Sequence, residues 1–303
     1  MLNTYRVVPF DSKYAGPHHN GTTVRPLFQP VMMPSIVAPS STVPPQEDVY
    51  SLLRERMDLH AQLSDAVQIQ RKLSGPRVLR CGDWQFASEV FAARFLSGDF
   101  TTFSQHGSKV LAVLGDIAGK GVAAGMWFTH LVGLLQSYGR PDFDPARIAW
   151  EMNRHLCYLQ PVAPFVTAFF AQIDCELETI TYCNAGHFPP ILLRADGRTE
   201  LLEKGGPLLG ALEGGEFVSG ELLLEPGDTL VAYSDGILEC RNRAGEEFGL
   251  ERLTASLQEV KQPSAHATLM MLLAAVQDYA NGSPLSDDVS LTLIQRDAET
   301  DWE

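Results

Sequence analysis

Four aspartates far apart in the chain each stand beside a glycine or a second aspartate at the end of an apolar run: Asp99, Asp116, Asp235 and Asp287. A fold that satisfies all four must be rich in strands and must bring several strand ends to one place. Lys109 to Leu114 (KVLAVL) reads as a buried strand that breaks into a tight turn at Gly115, Asp116, Ile117, Ala118, Gly119, Lys120 and Gly121. Thr229 to Tyr233 (TLVAY) delivers Ser234, Asp235 and Gly236 in the same way. FLSGDF, from Phe95 to Phe100, is a third approach, and Asp287 and Asp288 stand before VSLTLI, Val289 to Ile294. A single Asp-Gly pair is ordinarily a turn. Four carboxylates gathered in one pocket would raise one another's pKa, and such a pocket is stable only if cations neutralise it. Oxygen-only ligation then points to Mg²⁺ or Mn²⁺, with glycine letting backbone and ion come close. The segment 115–121 is not a phosphate-cradling P-loop. Gly115 leaves only three residues before Gly119-Lys120, where that motif needs four, and Gly121 stands where it needs Ser or Thr.

Charge and cysteine usage exclude several rival functions. A formal net charge of -14 disfavours nucleic acid as a partner, because phosphate backbones demand clustered Lys and Arg. Cys81, Cys157, Cys175, Cys183 and Cys240 form no C-x-x-C pair, and a reduced cytoplasmic setting is the expectation. The amino terminus lacks the order of a signal peptide, and no apolar run is long enough to span a bilayer, so no membrane partner is expected.

The chain divides into four segments. Residues 1–45 carry eight prolines with Ser and Thr between them and are expected to form an extended or disordered arm. Residues 46–74 turn helical, with Leu52, Leu59, Ala66 and Leu73 seven apart and Leu63 between two of them. Arg56 and Gln70 interrupt the second stripe, so this linker helix would either pair two chains weakly as a homodimer or pack on its own domain. Residues 75–297 alternate strands and helices of an α+β domain, and 298–303 form a tail. The expected strands are Phe86 to Phe95, Phe100 to Ser104, Lys109 to Leu114, Val166 to Ile173, Thr179 to Cys183, Ile191 to Arg194, Glu221 to Leu224, Thr229 to Tyr233 and Val289 to Ile294. Helices are expected over Val122 to Tyr138, Pro145 to Leu159 and Ala265 to Tyr279. Short polar turns favour antiparallel pairing, and the alternation suits two packed sheets with helices outside.

The ordered set GDIAGKGVAAGMW, FVTAFFAQID, YCNAGHFPPILL, YSDGILECRN and SDDVSLTLIQ resembles the bacterial PP2C-type serine/threonine phosphatases of the SpoIIE and RsbU group. The likeness runs from about Ala66 to Gln295. It implies an αββα sandwich of two mainly antiparallel sheets flanked by helices, and a phosphatase that uses two divalent cations, Mn²⁺ or Mg²⁺. By resemblance, Asp116 would bridge both ions and act with Asp235 in catalysis, and the carbonyl of Ile117 would bind one ion. Asp235 and Asp287 would complete one shell, and Asp99 would serve the other. Gly115, Gly119 and Gly121 form the glycine loop. A water bridging the two ions would be the nucleophile. The usual substrates of the group are phosphorylated anti-sigma-factor antagonists or related STAS-domain proteins, in signalling or stress responses. No PAS, GAF or receiver domain is legible before the helix, so an upstream activator would act through residues 1–74.

Departures from the pattern mark the alternatives. Thr102 stands where the group commonly places a second acidic residue, which leaves open a catalytically weak regulatory protein on the same fold. Ala118 replaces a histidine of eukaryotic relatives. Arg94, five residues before Asp99, matches the spacing of a phosphate-contacting arginine there, and equally suits a solvated edge strand. His187, in Asn184-Ala185-Gly186-His187, reads as a hydrogen-bonded turn residue outside the metal shell.

Overall fold

The computed structural model describes residues 46–259 and 264–298, so the arm expected over 1–45 and nearly all of the expected tail lie outside the described residues. The chain runs through α1 (Gln46–Leu73), β1 (Val78–Cys81), β2 (Trp84–Phe91), β3 (Phe100–His106), β4 (Lys109–Ile117), α2 (Val122–Tyr138) and α3 (Pro145–Tyr158). It continues through β5 (Val166–Asp174), β6 (Thr179–Ala185), β7 (Ile191–Leu193), β8 (Thr199–Leu201), β9 (Gly205–Gly206), β10 (Gly220–Leu223) and β11 (Thr229–Tyr233). The short α4 (Asp235–Leu238), α5 (Gly249–Glu259), α6 (Ala265–Ala280) and β12 (Val289–Arg296) complete it.

Strands β1-β2-β12-β11-β7-β8 form one sheet, and β10-β6-β5-β4-β3 form the other, with β9 against β6. Only the β6–β9 pair is parallel among these. Side chains alternate in direction along a strand, and in β5 and β11 both faces are apolar. In β5, Val166, Ala168 and Phe170 pack beneath α2 and α3, while Phe169, Ala171 and Ile173 face the opposite sheet. In β11, Leu230 and Ala232 meet them there, and Val231 and Tyr233 turn outward to α5 and α6. These alternations produce the four-layer αββα architecture, each fully buried Phe or Leu contributing roughly 1.5–3 kcal/mol.

The expected strand Phe86 to Phe95 ends earlier, at Phe91. Beyond it the Ala93 N–H donates to the Asp288 carboxylate at 2.7 Å, which draws the backbone off the sheet and leaves Arg94 in an exposed loop. Helix α5 and strands β1 and β8 were not expected from the sequence. Leu253 and Leu257 of α5 are fully buried, at the i, i+4 spacing of a short amphipathic helix. Along α1, Leu52 and Leu59 are exposed, Leu63 and Ala66 are half-buried, and Leu73 packs against the core under α2. Among the described residues no helix is long and apolar enough to cross a membrane.

Candidate metal centre

Antiparallel pairing puts the start of β3 beside the end of β4, in register Phe100 with Gly115, and the end of β11 beside the start of β12. Asp99 therefore opens β3, and Asp116 and Ile117 close β4. Asp235 begins α4 directly after β11, and Asp287 lies just before β12. The two pairs of strand ends belong to different sheets, and Gly98 joins them. Its N–H donates to Asp288 Oδ2 at 2.7 Å, and its carbonyl accepts from the Ile117 N–H at 3.3 Å. A Cβ at Gly98 would lie 3.0 Å from the Ile117 carbonyl oxygen and 3.5 Å from Asp116 Oδ1. At Gly236 it would lie 1.9 Å from the Asp288 carbonyl oxygen, an overlap no side chain tolerates. These two glycines are thus required by the approach of one carboxylate-bearing segment to another.

Asp288, which sequence reasoning did not single out, is the anchor of this arrangement. Its carboxylate accepts from Ala93 N–H, Gly98 N–H and, at 2.8 Å, the Ser97 hydroxyl. Asp287 beside it is held differently, by Lys120 Nζ at 2.6 Å from Oδ2. That contact raises the pKa of the exposed Lys120 amine. Arg94 lies close enough to oppose Lys120 electrostatically, so two cations flank the mouth of the carboxylate group.

Burial sets the electrostatics of the remaining three carboxylates. Asp99 is 2% exposed, and its Oδ2 has no hydrogen-bond partner. Its pKa lies well above the usual carboxylate range, first through desolvation and then through the charge of Asp116. The nearby Ser234 and Ser290 hydroxyls pull it the other way without satisfying Oδ2. Asp116 is raised to about 6 by burial and by Asp235 and Asp287. Asp235 is raised by burial and Asp287. Among the described residues no three His, Cys, Asp or Glu side chains are drawn into a closed ligand set. A buried carboxylate oxygen without a partner, beside carboxylates that resist ionisation, nevertheless fits a divalent cation: all donors are hard oxygens, and the four carboxylates outnumber the one cation, Lys120, that pairs with them. Thr102, by contrast, lies beside the Gly75 turn after α1.

Two further side chains tie the site to its frame. His187 is buried, with Nε2 donating to the Tyr233 carbonyl at 3.1 Å. Its Nδ1 is then the acceptor for the Thr167 hydroxyl at 2.9 Å. Thr167 pairs with Asp116 across β5 and β4, and Tyr233 is two residues before Asp235, so a neutral imidazole links the strand ends carrying both. Gln70 of α1 makes a two-point clamp on the Ser97 backbone, donating from Nε2 to its carbonyl at 2.8 Å and accepting its N–H at 3.2 Å. Asp99 follows two residues later. Gln70→Ala is accordingly expected to lower turnover about tenfold with little change in unfolding temperature, since a misplacement of about 1 Å can cost a hundredfold in rate. Steady-state kinetics and a thermal melt check this together, and parent-level turnover would show that the clamp positions nothing.

Residues 106–297 match the family described as Stage II sporulation protein E (SpoIIE). Protein IcfG of Synechocystis is 26% identical over 265 residues, covering 78% of this chain but only 41% of its own length. The phosphoserine phosphatase RsbU of Bacillus subtilis is 24% identical over 249 residues, covering 80% of this chain and 72% of its own. Among solved structures, the SiaA-PP2C domain of Pseudomonas aeruginosa superposes with a TM-score of 0.70 at 18% identity, covering 80% of this chain and 99% of that domain. The architecture is thus that of a known fold.

Proposed function

We propose, since this chain belongs to the SpoIIE family of bacterial PP2C-type phosphatases, that it is a metal-dependent protein serine/threonine phosphatase. The observation that carries this reading is the buried Asp99 carboxylate, its Oδ2 without a partner, beside Asp116, whose pKa is raised to about 6 by burial and then by the charges of Asp235 and Asp287. Asp99, Asp116, Asp235 and Asp287, with the Ile117 carbonyl, would hold two divalent cations, Mn²⁺ or Mg²⁺. When bound, such ions supply an activated water and offset the charge of the phosphoryl oxygens. Lys120, and Arg94 near it, would favour the anionic oxygens of a phosphate at the carboxylate group. A thiolate nucleophile finds no support: burial pushes the Cys157, Cys175, Cys183 and Cys240 thiols up. The Ile117–Gly98 backbone bond would keep Asp116 in register, and the His187 bridge would help set its spacing from Asp235.

The likeness to phosphoserine phosphatase RsbU supports a phosphoprotein as substrate, here a phosphorylated anti-sigma-factor antagonist of the STAS type. Residues 75–297 would form the phosphatase domain and 46–74 a linker helix through which an activator acts. The deciding experiment is hydrolysis of a phosphoserine peptide by the full chain, before and after exhaustive chelation, with added Mn²⁺ or Mg²⁺. Turnover is expected only with the metal, and the same metal should raise the unfolding temperature by mass action. Undiminished turnover after chelation would overturn the reading, and a metal-induced stability gain without any hydrolysis would favour a regulatory protein that retained the site.

A further inference from the structure

We propose that the cavity between α1 and β2 is a binding site for a small anionic molecule with a flat apolar body, an effector that touches the helix and the Asp99 loop together. The cavity has a volume of about 570 Å³, within the range typical of small-molecule sites. It goes beyond the phosphatase reading and stands without it.

Three guanidinium groups line it, Arg71, Arg77 and Arg94, in a chain whose net charge is -14. Arg77 is paired with Glu89. Burial and the nearby charge of Arg71 together lower the Arg77 pKa, which sets the exposed Arg71 guanidinium close to the half-buried Arg77. Among the described residues neither Arg71 nor Arg94 has a carboxylate or carbonyl partner. Cations left free in a concave site are the arrangement that recognises a phosphate, sulfonate or carboxylate group.

Apolar side chains from α1, β2 and the loop after it make up part of the wall, beside polar ones such as Ser64, Gln68 and Ser88. Val67, Val90 and Phe95 offer a surface for an aromatic or otherwise flat body. Gln70 stands on the same wall, clamping Ser97, while Asp99 forms part of the lining. An occupant would therefore bear on the contact that ties α1 to the carboxylate loop.

The probe is 8-anilinonaphthalene-1-sulfonate, a non-hydrolysable sulfonate with an aromatic body, titrated by fluorescence into the chelated full chain. One saturable site is expected. Arg71→Gln should weaken it about tenfold or more, as loss of a charge-assisted hydrogen bond requires. Val67→Trp, which fills the cavity without altering charge, should weaken it comparably, whereas Arg154→Gln, removing an exposed guanidinium on α3, should leave it unchanged. Absence of saturable binding overturns the proposal, as do Arg71→Gln and Val67→Trp proteins that bind like the parent, or an Arg154→Gln protein weakened equally. Because no metal or turnover enters the measurement, its failure is distinguishable from failure of the phosphatase reading.

Discussion

Asp116→Asn is expected to lower turnover by roughly three orders of magnitude, about 4 kcal/mol of transition-state stabilisation, while making the chelated protein more stable at pH 7. The two effects have one origin. Asp116 lies where the end of β4 meets segments from the other sheet, and its carboxylate faces Asp235 and Asp287. Its folded pKa of about 6 exceeds the ordinary value of 3.8. The folded protein therefore holds this proton more tightly than the unfolded chain does. The associated stability is present below pH 3.8 and is lost as pH rises through about 6. Ionised at pH 7 without a cation, Asp116 costs about 1–2 kcal/mol after allowing for screening in a half-open site. Asparagine removes that cost and the anionic ligand together. Melts in chelator should show the variant several degrees above the parent at pH 7, converging with it near pH 4, and the rise induced by Mn²⁺ should be lost or much reduced. A folded variant with parent-level turnover would remove Asp116 from the chemistry.

The site was legible in the sequence to the extent that a strand end can be read from an apolar run meeting Gly and Asp. Lys109 to Leu114 and Thr229 to Tyr233 carry that signal because a strand between two layers is apolar on both faces and breaks sharply where it leaves them. Such a signal cannot divide labour between neighbours. Asp287 and Asp288 are chemically identical, and only folding shows that one is saturated by backbone and hydroxyl donors while the other meets Lys120. Gln70 was legible only as an interruption, with Arg56, of the second stripe, the one that carries Leu63. Its partner, the Ser97 backbone, is 27 residues away, and no local periodicity encodes that pairing. Arg94 was misplaced on a strand for a similar reason: the residue that pulls it off the sheet, Asp288, is supplied from the other end of the domain. The glycines beside Asp99 and Asp235 were read in the sequence as letting backbone and ion come close. What approaches them in the fold is the backbone of another carboxylate-bearing segment.

His187→Ala should destabilise the protein by about 3–5 kcal/mol, because it removes a buried side chain and leaves the Thr167 hydroxyl and Tyr233 carbonyl without partners. His187→Gln, which can retain one of the two bonds, should recover part of this. The imidazole also imposes a pH dependence opposite in sign to that of Asp116. Burial lowers its pKa from 6.5 to about 4, although the bond to the Tyr233 carbonyl favours the protonated ring. Between those values the unfolded chain binds a proton that the folded protein refuses. The His187 contribution is therefore complete above pH 6.5 and is lost progressively as pH falls toward 4, by on the order of 3 kcal/mol in total. Protonation of Asp116 partly conceals the loss in the parent, so the informative quantity is the difference between parent and His187→Gln in denaturant unfolding at pH 7.5 and pH 4.5. The parent's advantage should shrink with acid. An advantage independent of pH would show that the imidazole is not held neutral between the two sheets. If the bridge also sets the spacing of Asp116 and Asp235, turnover of the folded His187→Gln protein at pH 7.5 should fall as well, with a larger effect on kcat than on KM.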